Sequence, residues 1–247
     1  MPPRTSAIDP GYSPVELESH LQQSSHLLST LKISMACWLI ADEASTRRKV
    51  EAAREHGVTS VTGGGPFEIS VAQGVFEPYL DLCADIGIDR IEAAGGFTDM
   101  NVPAEVVIGA AAQRGLEVQV ELGRKHDGAF SQAVVDRLIE DGRRWLDAGA
   151  VQLVIEARES ANEIGLFGAN GQLDTSAADR FVDTFGTELV VFEAPSKASQ
   201  FALLDHIGQL VHLSNVRLEE VLRVEIYRRG LHSDSFEIPH LRPVRRS

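Results

Sequence analysis

The sequence predicts a (β/α)8 barrel, a TIM barrel of the α/β class built as one domain. Three observations predict it. One pattern recurs along the chain: a polar, helix-like segment closes near a glycine, a short apolar run follows, and a polar or glycine-rich loop comes next. The runs number eight in a chain of 247 residues, which is the repeat count and size of such a barrel. Four of the runs lead into a glutamate: Ile91-Glu92, Val120-Glu121, Leu153-Val154-Ile155-Glu156 and Val190-Val191-Phe192-Glu193. Buried unpaired charge is expensive, so four such residues are poor fold stabilisers. At the C-terminal ends of barrel strands, where barrel active sites lie, they have a use. The alternative, a doubly wound open sheet, usually carries a glycine-rich phosphate loop after its first strand. Asp9-Pro10-Gly11 does not supply one.

Each element has its own signal. Two strands lie upstream, Ser6 to Asp9 and Leu31 to Ala36. Gly57, Gly87, Gly115, Gly149, Gly186 and Gly208 then precede Val58–Val61, Ile88–Ile91, Leu116–Val120, Ala150–Ile155, Glu188–Phe192 and Leu210–Leu213. Glycine just past a helix end supplies the residue that closes it, and the β-rich run behind it is the next strand. Helical patterns fill the gaps at Ser45–His56, Phe76–Asp85, Pro103–Arg114, Ser131–Asp147, Ala177–Phe185 and Leu218–Arg229. No linker or low-complexity stretch interrupts this order, so a single domain over residues 1–247 is expected, with short frayed ends.

Composition narrows the function classes. The net charge of −13 argues against wholesale binding of nucleic acid or of an anionic membrane. It leaves room for small anionic substrates, which need only a local cluster of cations. No window reaches the roughly 18 apolar residues of a membrane span, and Met1 to Thr5 has no signal-peptide core. Two cysteines give neither a metal spacing nor a disulfide framework, which points to a reduced, cytoplasmic setting. A homo-oligomer is expected.

The strand ends carry the candidate chemistry. Glu92, Glu121, Glu156 and Glu193 converge on one rim, and Mg²⁺ is the cofactor such carboxylates suit. Glu121-Leu122-Gly123-Arg124-Lys125 adds two bases; with Arg124 beside it, Lys125 is expected to have a lowered pKa and to exchange protons near neutrality. In Glu156-Ala157-Arg158-Glu159-Ser160, strand alternation puts Glu156 and Arg158 on one face and Glu159 on the other or in the loop. Gly63-Gly64-Gly65-Pro66-Phe67-Glu68 could bring backbone N–H groups close to an anion or form an ordinary tight loop, with Glu68 lining the site or entering the next helix. Lys197 and Ser214-Asn215 follow the seventh and eighth strands, where barrels commonly bind phosphate. Arg228-Arg229 ends the last helix, as a substrate contact or as a partner of the helix dipole.

Taken together these pieces resemble the phosphosulfolactate synthase family, from Asp9 onward and in the right order. The matching residues are Gly63-Gly64 with Phe67-Glu68, Glu121 to Lys125, Ile155 to Ser160, Ile164 to Phe167, Phe192 to Pro195 with Lys197, Leu213 to Asn215, Arg228 to Leu231, and Asp234 to Phe236. The resemblance implies a Mg²⁺-dependent barrel, a carbon–sulfur lyase that adds sulfite to phosphoenolpyruvate on the route to coenzyme M. It implies metal ligands among Glu92, Glu121, Glu156 and Glu193. It implies catalytic roles among Lys32, Arg124, Lys125, Arg158 and Glu159, with Lys125 as general acid. Substrate contacts would fall on Asp9, Gly63, Gly64, Glu68, Lys197, Ser214, Asn215, Arg228 and Arg229. The departures cluster on the first two strands. A family Asp-Lys-Gly is Asp9-Pro10-Gly11 here, and a family Lys-Phe-Gly-Trp-Gly is Lys32-Ile33-Ser34-Met35-Ala36. Arg124 stands where the family has lysine, which keeps charge and loses easy proton transfer. Two alternatives stay open: a divergent barrel lyase or isomerase acting on another phosphorylated or carboxylated anion, and a catalytically inactive metabolite-binding relative.

Overall fold

Eight parallel strands pair in sequence order, and the first closes on the last. The structure, a computed structural model, describes residues 2–98, 102–158 and 160–242. The strands are β1 (Thr5–Asp9), β2 (Leu28–Ile33), β3 (Thr59–Thr62), β4 (Arg90–Ala94), β5 (Glu117–Leu122), β6 (Gln152–Ile155), β7 (Val190–Glu193) and β8 (His212–Arg217). Around them run α1 (Pro14–Ser24), α2 (Cys37–Ile40), α3 (Glu43–Glu55), α4 (Gly64–Ala72), α5 (Phe76–Ile86), α6 (Ala104–Ala112), α7 (Gln132–Ala148), α8 (Thr175–Leu189), α9 (Lys197–Ile207) and α10 (Val221–Arg228). The (β/α)8 barrel expected from the sequence is therefore present. Gly87 and Gly149 end α5 and α7 in the left-handed conformation that the glycine pattern anticipates. Several boundaries shift, β4 to Arg90–Ala94 in place of Ile88–Ile91 and β8 to His212–Arg217 in place of Leu210–Leu213 among them, and two of the shifts bear on the site. The second strand stops at Ile33, because Ser34-Met35-Ala36 turns into α2 with Met35 at φ 51°. The Gly63–Glu68 segment is only briefly a loop, since Gly64 already opens α4.

Strand alternation sorts the side chains into two environments. Leu31, Ile33, Ile91, Val118, Val120, Leu153, Ile155, Phe192 and Leu213 face outward and join Phe67, Leu80, Val135, Phe181 and Leu204 of the helices in one apolar core. The opposite faces point into the barrel and are mostly polar. His212 on β8 meets Gln152 on β6 at 3.4 Å, and Gln152 accepts from Arg90 on β4 at 2.8 Å. These strands are not neighbours, so such contacts can form only across the interior. Burial, with the positive charges of Arg4, Arg228 and Arg90 nearby, drops the His212 imidazole to a pKa of about 3, so it is neutral. The barrel interior is thus a hydrogen-bonded column beneath the rim, where aliphatic layers are the common solution.

One sequence expectation fails at the far end of this column. Arg228 is fully buried against the N-terminal ends of β1 and β8. Its guanidinium donates to the Val211 and Gln209 carbonyls at 2.7 and 2.8 Å, to Arg4 O at 3.2 Å and to Thr5 Oγ1 at 3.3 Å, and it pairs with Glu225 at 3.0 Å. Arg229 pairs with the same Glu225. Active sites of barrels lie at the other end of the strands, so neither arginine reaches the rim. Arg228→Met should destabilise the fold by about 3–5 kcal/mol, because it leaves the buried Gln209, Val211 and Arg4 carbonyls without their donor and removes one of the two cations on Glu225. Urea unfolding reads this directly; a change below about 1 kcal/mol would contradict the structural role.

Candidate active site

A cavity of about 700 Å³ opens at the C-terminal ends of the strands. Two lysines organise its floor, each between two glutamates. Lys32 on β2 places Nζ 2.9 Å from Glu92 Oε1 on β4 and 3.4 Å from Glu193 Oε1 on β7. Lys125, just beyond β5, places Nζ 3.1 Å from Glu121 Oε1 and 3.2 Å from Glu156 Oε2, the latter just beyond β6. All four glutamates and Lys32 are buried; Lys125 keeps about a quarter of its side chain open, 26%.

The two brackets differ in what remains for a ligand. In the inner one every carboxylate oxygen is engaged. Glu92 Oε1 also accepts from Gly64 N at 3.0 Å, and Oε2 from Gln119 Nε2 at 2.7 Å. Glu193 Oε2 accepts from Ala157 N at 2.9 Å. In the outer bracket Glu156 Oε1 accepts from Arg158 N at 2.6 Å, but its buried Oε2 has no aligned donor. The Glu156 carboxyl lies close enough to that of Glu121 for each to act on the charge of the other.

Electrostatics follows this arrangement. Burial alone would lower both lysines, yet Glu92, Glu193 and Glu121 outweigh it at Lys32, and Glu121, Glu156 and Glu193 at Lys125. Both ammonium groups are held well above the usual lysine range. The lowered pKa expected for Lys125 is therefore reversed: carboxylates, not cations, are its close neighbours. Burial, added to repulsion from Glu121 and Glu193, pushes Glu156 up to about 10. Burial pushes Glu121 up too, but Lys125, Lys32 and the neighbouring Glu156 carboxyl prevail and hold it below the usual carboxylate range. Glu92 rises to about 7, burial outweighing Lys32.

Local backbone chemistry fixes the glutamates. Gly64 lies so close to β4 that a Cβ there would collide with Ala94 Cβ, and this approach delivers its N–H to Glu92. Gly165, at φ 60°, passes over β6 so tightly that a Cβ would meet the Glu156 carbonyl oxygen. β6 ends at Ile155, and Arg158 adopts a left-handed turn at φ 54°. The alternation expected through Glu156 and Arg158 thus stops early. Arg158 reaches the cavity from the turn and donates Nη1 to the Lys125 carbonyl at 3.2 Å.

Other predicted residues separate into two groups. Gly63, Gly64, Arg158 and Asn215 line the cavity with the lysine–glutamate brackets. Asn215 is left-handed at φ 57°, with a buried Oδ1 that lacks a donor; Ser214 is buried beside it, in register with Glu193, and its Oγ also lacks a partner. The rest lie elsewhere. Asp9 points outward, pairs with Lys49 of α3 at 2.8 Å and accepts from the N–H groups of Gly11 and Tyr12. Glu68 Oε2 gathers the N–H groups of Phe97 and Thr98 and the Thr98 hydroxyl, so it anchors the β4 loop and does not reach into the cavity. Lys197 pairs with Asp234 at 3.5 Å and lies over the Phe201 ring. Arg124 does not line the cavity, and its Nε stands 3.8 Å from Asp127. Glu159 lies outside the described residues.

The sequence reading missed Gln119, the second donor to Glu92. Its signal was available, because Gln119 and Glu121 share a face of β5. It also missed Met35, Ile69 and Phe97 on the cavity wall, and Arg217, which with Arg158 and Asn215 lines a small adjoining cavity of about 60 Å³.

Among the described residues no three acidic, histidine or cysteine side chains form a cage for a metal ion. A Mg²⁺ site needs less: one or two carboxylates, with water and substrate completing the shell. Glu121 and Glu156, facing each other with one donorless buried oxygen, fit that donor set; Glu92 and Glu193, saturated by other partners, do not add to it.

A closed barrel whose rim holds paired carboxylates and lysines in a deep cavity is an enzyme scaffold. Residues 3–234 match the (2R)-phospho-3-sulfolactate synthase (ComA) family, and the chain belongs to that family. It is 30% identical to the phosphosulfolactate synthase of Methanocaldococcus jannaschii over 233 residues, 94% of this chain and 93% of that protein. Identity to the phosphosulfolactate synthase of Bacillus subtilis is 26% over 230 residues, 93% and 90% of the two chains. In solved structures the fold resembles a putative fructose-1,6-biphosphate aldolase from Coccidioides immitis, with a TM-score of 0.57 at 16% identity, covering 97% of this chain and 85% of that one. A putative phosphonomutase from Burkholderia cenocepacia gives 0.56 at 11% identity, covering 90% of each. At such identities the likeness is one of fold alone.

The two lysines should respond differently to removal. Lys125→Ala should lower kcat by about 10²–10⁴-fold, the share of a positioned acid, and leave most of the stability in place because water can enter its position. Lys32→Met leaves Glu92 and Glu193 buried without a counter-ion and should cost about 3–5 kcal/mol in urea unfolding as well as activity. Equal effects of both variants on stability would contradict the distinction between inner and outer brackets.

Proposed function

We propose that the chain is a Mg²⁺-dependent carbon–sulfur lyase that joins sulfite to phosphoenolpyruvate to give phosphosulfolactate. The observation that carries this reading is the charge of the bracketed floor. Four carboxylates against two ammonium groups leave the floor with a net charge of −2 when all are ionised. A floor of that charge would repel anionic substrates, and burial already answers part of it by holding a proton on Glu156. Two protons or one divalent cation make it neutral, and the Glu121–Glu156 pair is where the cation fits. Bound there, Mg²⁺ would supply Lewis acidity toward the substrate carboxylate.

The remaining roles belong to side chains. Arg158 and Arg217, on the adjoining small cavity, offer guanidinium groups to the phosphate or to the incoming anion. Lys32 stays ammonium and holds Glu92 and Glu193 in place. The sulfur lone pair of sulfite forms the new bond to the methylene carbon, and the double-bond pair moves to the adjacent carbon, spread into the carboxylate. Lys125 then donates its proton to that carbon and regains one from solvent through its open quarter. Its proton is held by Glu121 and Glu156, so sharing their charge with a metal makes Lys125 a stronger acid.

Two experiments test this reading. Incubated with phosphoenolpyruvate, sulfite and Mg²⁺, the protein should yield phosphosulfolactate by mass spectrometry, and EDTA should abolish it. Absence of adduct together with absence of phosphoenolpyruvate binding would remove the assignment. The second concerns protons. A carboxyl whose pKa is raised to about 10 holds its proton at neutral pH, and a metal must displace it. Mg²⁺ affinity should therefore rise with pH from neutrality toward that value, with about one proton released per ion bound. Titration calorimetry in buffers of different ionisation enthalpy measures both; pH-independent binding without proton release would contradict the pairing of Glu121 with Glu156.

A further inference from the structure

The small cavity of about 60 Å³ shares Ile8, Ser34, Met35, Arg158 and Asn215 with the main one, so the two communicate. One water needs about 10–15 Å³ of such space, so the small cavity takes a group of about four or five heavy atoms. Three features mark it as a site. Its charges are two guanidinium groups, Arg158 from the turn after β6 and Arg217 from the end of β8, and its other lining residues, Pro10 among them, carry none. Arg217 makes no hydrogen bond or ion pair among the described residues, and its charge acts on Tyr12 and Glu219 only from a distance. Met35, Arg158 and Asn215, all on this wall, are left-handed at φ 51°, 54° and 57°. Such backbone is costly for these side chains and gathers at ligand clamps. At the same corner the buried Ser214 Oγ and Asn215 Oδ1 lack partners, so the fold does not consume the polar groups there.

Resting on the reaction proposed above, we infer that Arg217 is a specificity-determining residue: with Arg158 it clamps the phosphate of phosphoenolpyruvate in the small cavity, and sulfite stays in the main one. A phosphate monoester carries about −1.5 to −2 charge near neutrality. Two guanidinium forks match it in charge and in geometry. Barrels commonly bind phosphate beyond the seventh and eighth strands, and Pro195, Asn215 and Arg217 put the small cavity there. Arg158 follows Glu156 closely in the same turn, so the clamp begins beside the proposed cation site and one small molecule can reach both. The phosphate stays attached throughout the reaction, and a fixed clamp at the cavity edge suits it. Sulfite has to advance on the methylene carbon, which needs the open centre.

Arg217 is exposed and unbonded, so Arg217→Ala should leave the fold intact. It should raise KM for phosphoenolpyruvate by about 10- to 100-fold, the worth of a hydrogen bond to a charged group, and move KM for sulfite by less than about twofold. Arg217→Lys keeps the charge, loses the fork and should fall between wild type and Arg217→Ala. General loss of folding or of the cation site would not separate the two substrates in this way. A KM for phosphoenolpyruvate that does not rise, or that rises no more than the KM for sulfite, overturns the inference and leaves the proposed function standing. If wild type forms no adduct, calorimetry in buffer containing Mg²⁺ decides, with phosphoenolpyruvate and inorganic phosphate as probes. Binding weakened at least about tenfold by Arg217→Ala supports the clamp even as the reaction assignment fails. Equal binding by the two proteins, or none by wild type, overturns it.

Discussion

Lys32 reaches across the barrel from β2 to Glu92 on β4 and Glu193 on β7, and the site depends on that contact. A buried ammonium is tolerable only when opposite charges meet it at close range, and buried carboxylates need the same in return. The three side chains are therefore bound to one geometry. Glu92 in turn draws Gly64 N–H and Gln119 toward it, and Glu193 fixes Ala157. Ala157 follows Glu156 directly, so the inner bracket sets the position of the outer one. The rim chemistry of Glu121, Lys125 and Glu156 stands on a polar floor that is already satisfied.

That floor continues downward. Gln119 accepts from Arg90 at 3.3 Å, Arg90 meets Gln152, and Gln152 meets the neutral His212. His212 contacts Ser6 and Ser29 at 3.0 and 2.7 Å. An aliphatic interior would be simpler to pack, but it could not support two lysines and four glutamates above it. The hydrogen-bonded column keeps those charges from facing a low-dielectric bed, where an unpaired charge is most costly.

Much of this was legible in the sequence, because it rests on periodicity and on residue type. Glycines before apolar runs marked the strands, and glutamates at their ends marked the rim. Lys125 and Glu156 could be placed there from strand position alone. What the sequence did not disclose was partnership. Arg228-Arg229 reads equally as a substrate clamp and as a helix end; only closure of β1 on β8 reveals the cage of carbonyls around Arg228. Asp9 looked like a rim residue until its outward register brought it to Lys49, forty positions away. The sign of the Lys125 shift was also a question of neighbours: Arg124 is adjacent in sequence, but Glu121 and Glu156 are adjacent in space. Phe97 and Ile69 carried no signal, since a loop aromatic or a helical isoleucine fits any core.

The proton that burial and the Glu121 charge keep on Glu156 is the most direct mark of this account. In metal-free protein at neutral pH, with glutamate side chains labelled at the carboxyl carbon, infrared difference spectra against Glu156→Gln should contain the band of a protonated carboxylic acid. That band should persist into the alkaline range, as burial and the Glu121 charge require. A wild-type spectrum in which Glu156 contributes only ionised carboxylate at neutral pH would mean that the outer pair holds no proton, and the charge argument for a cation between them would fall.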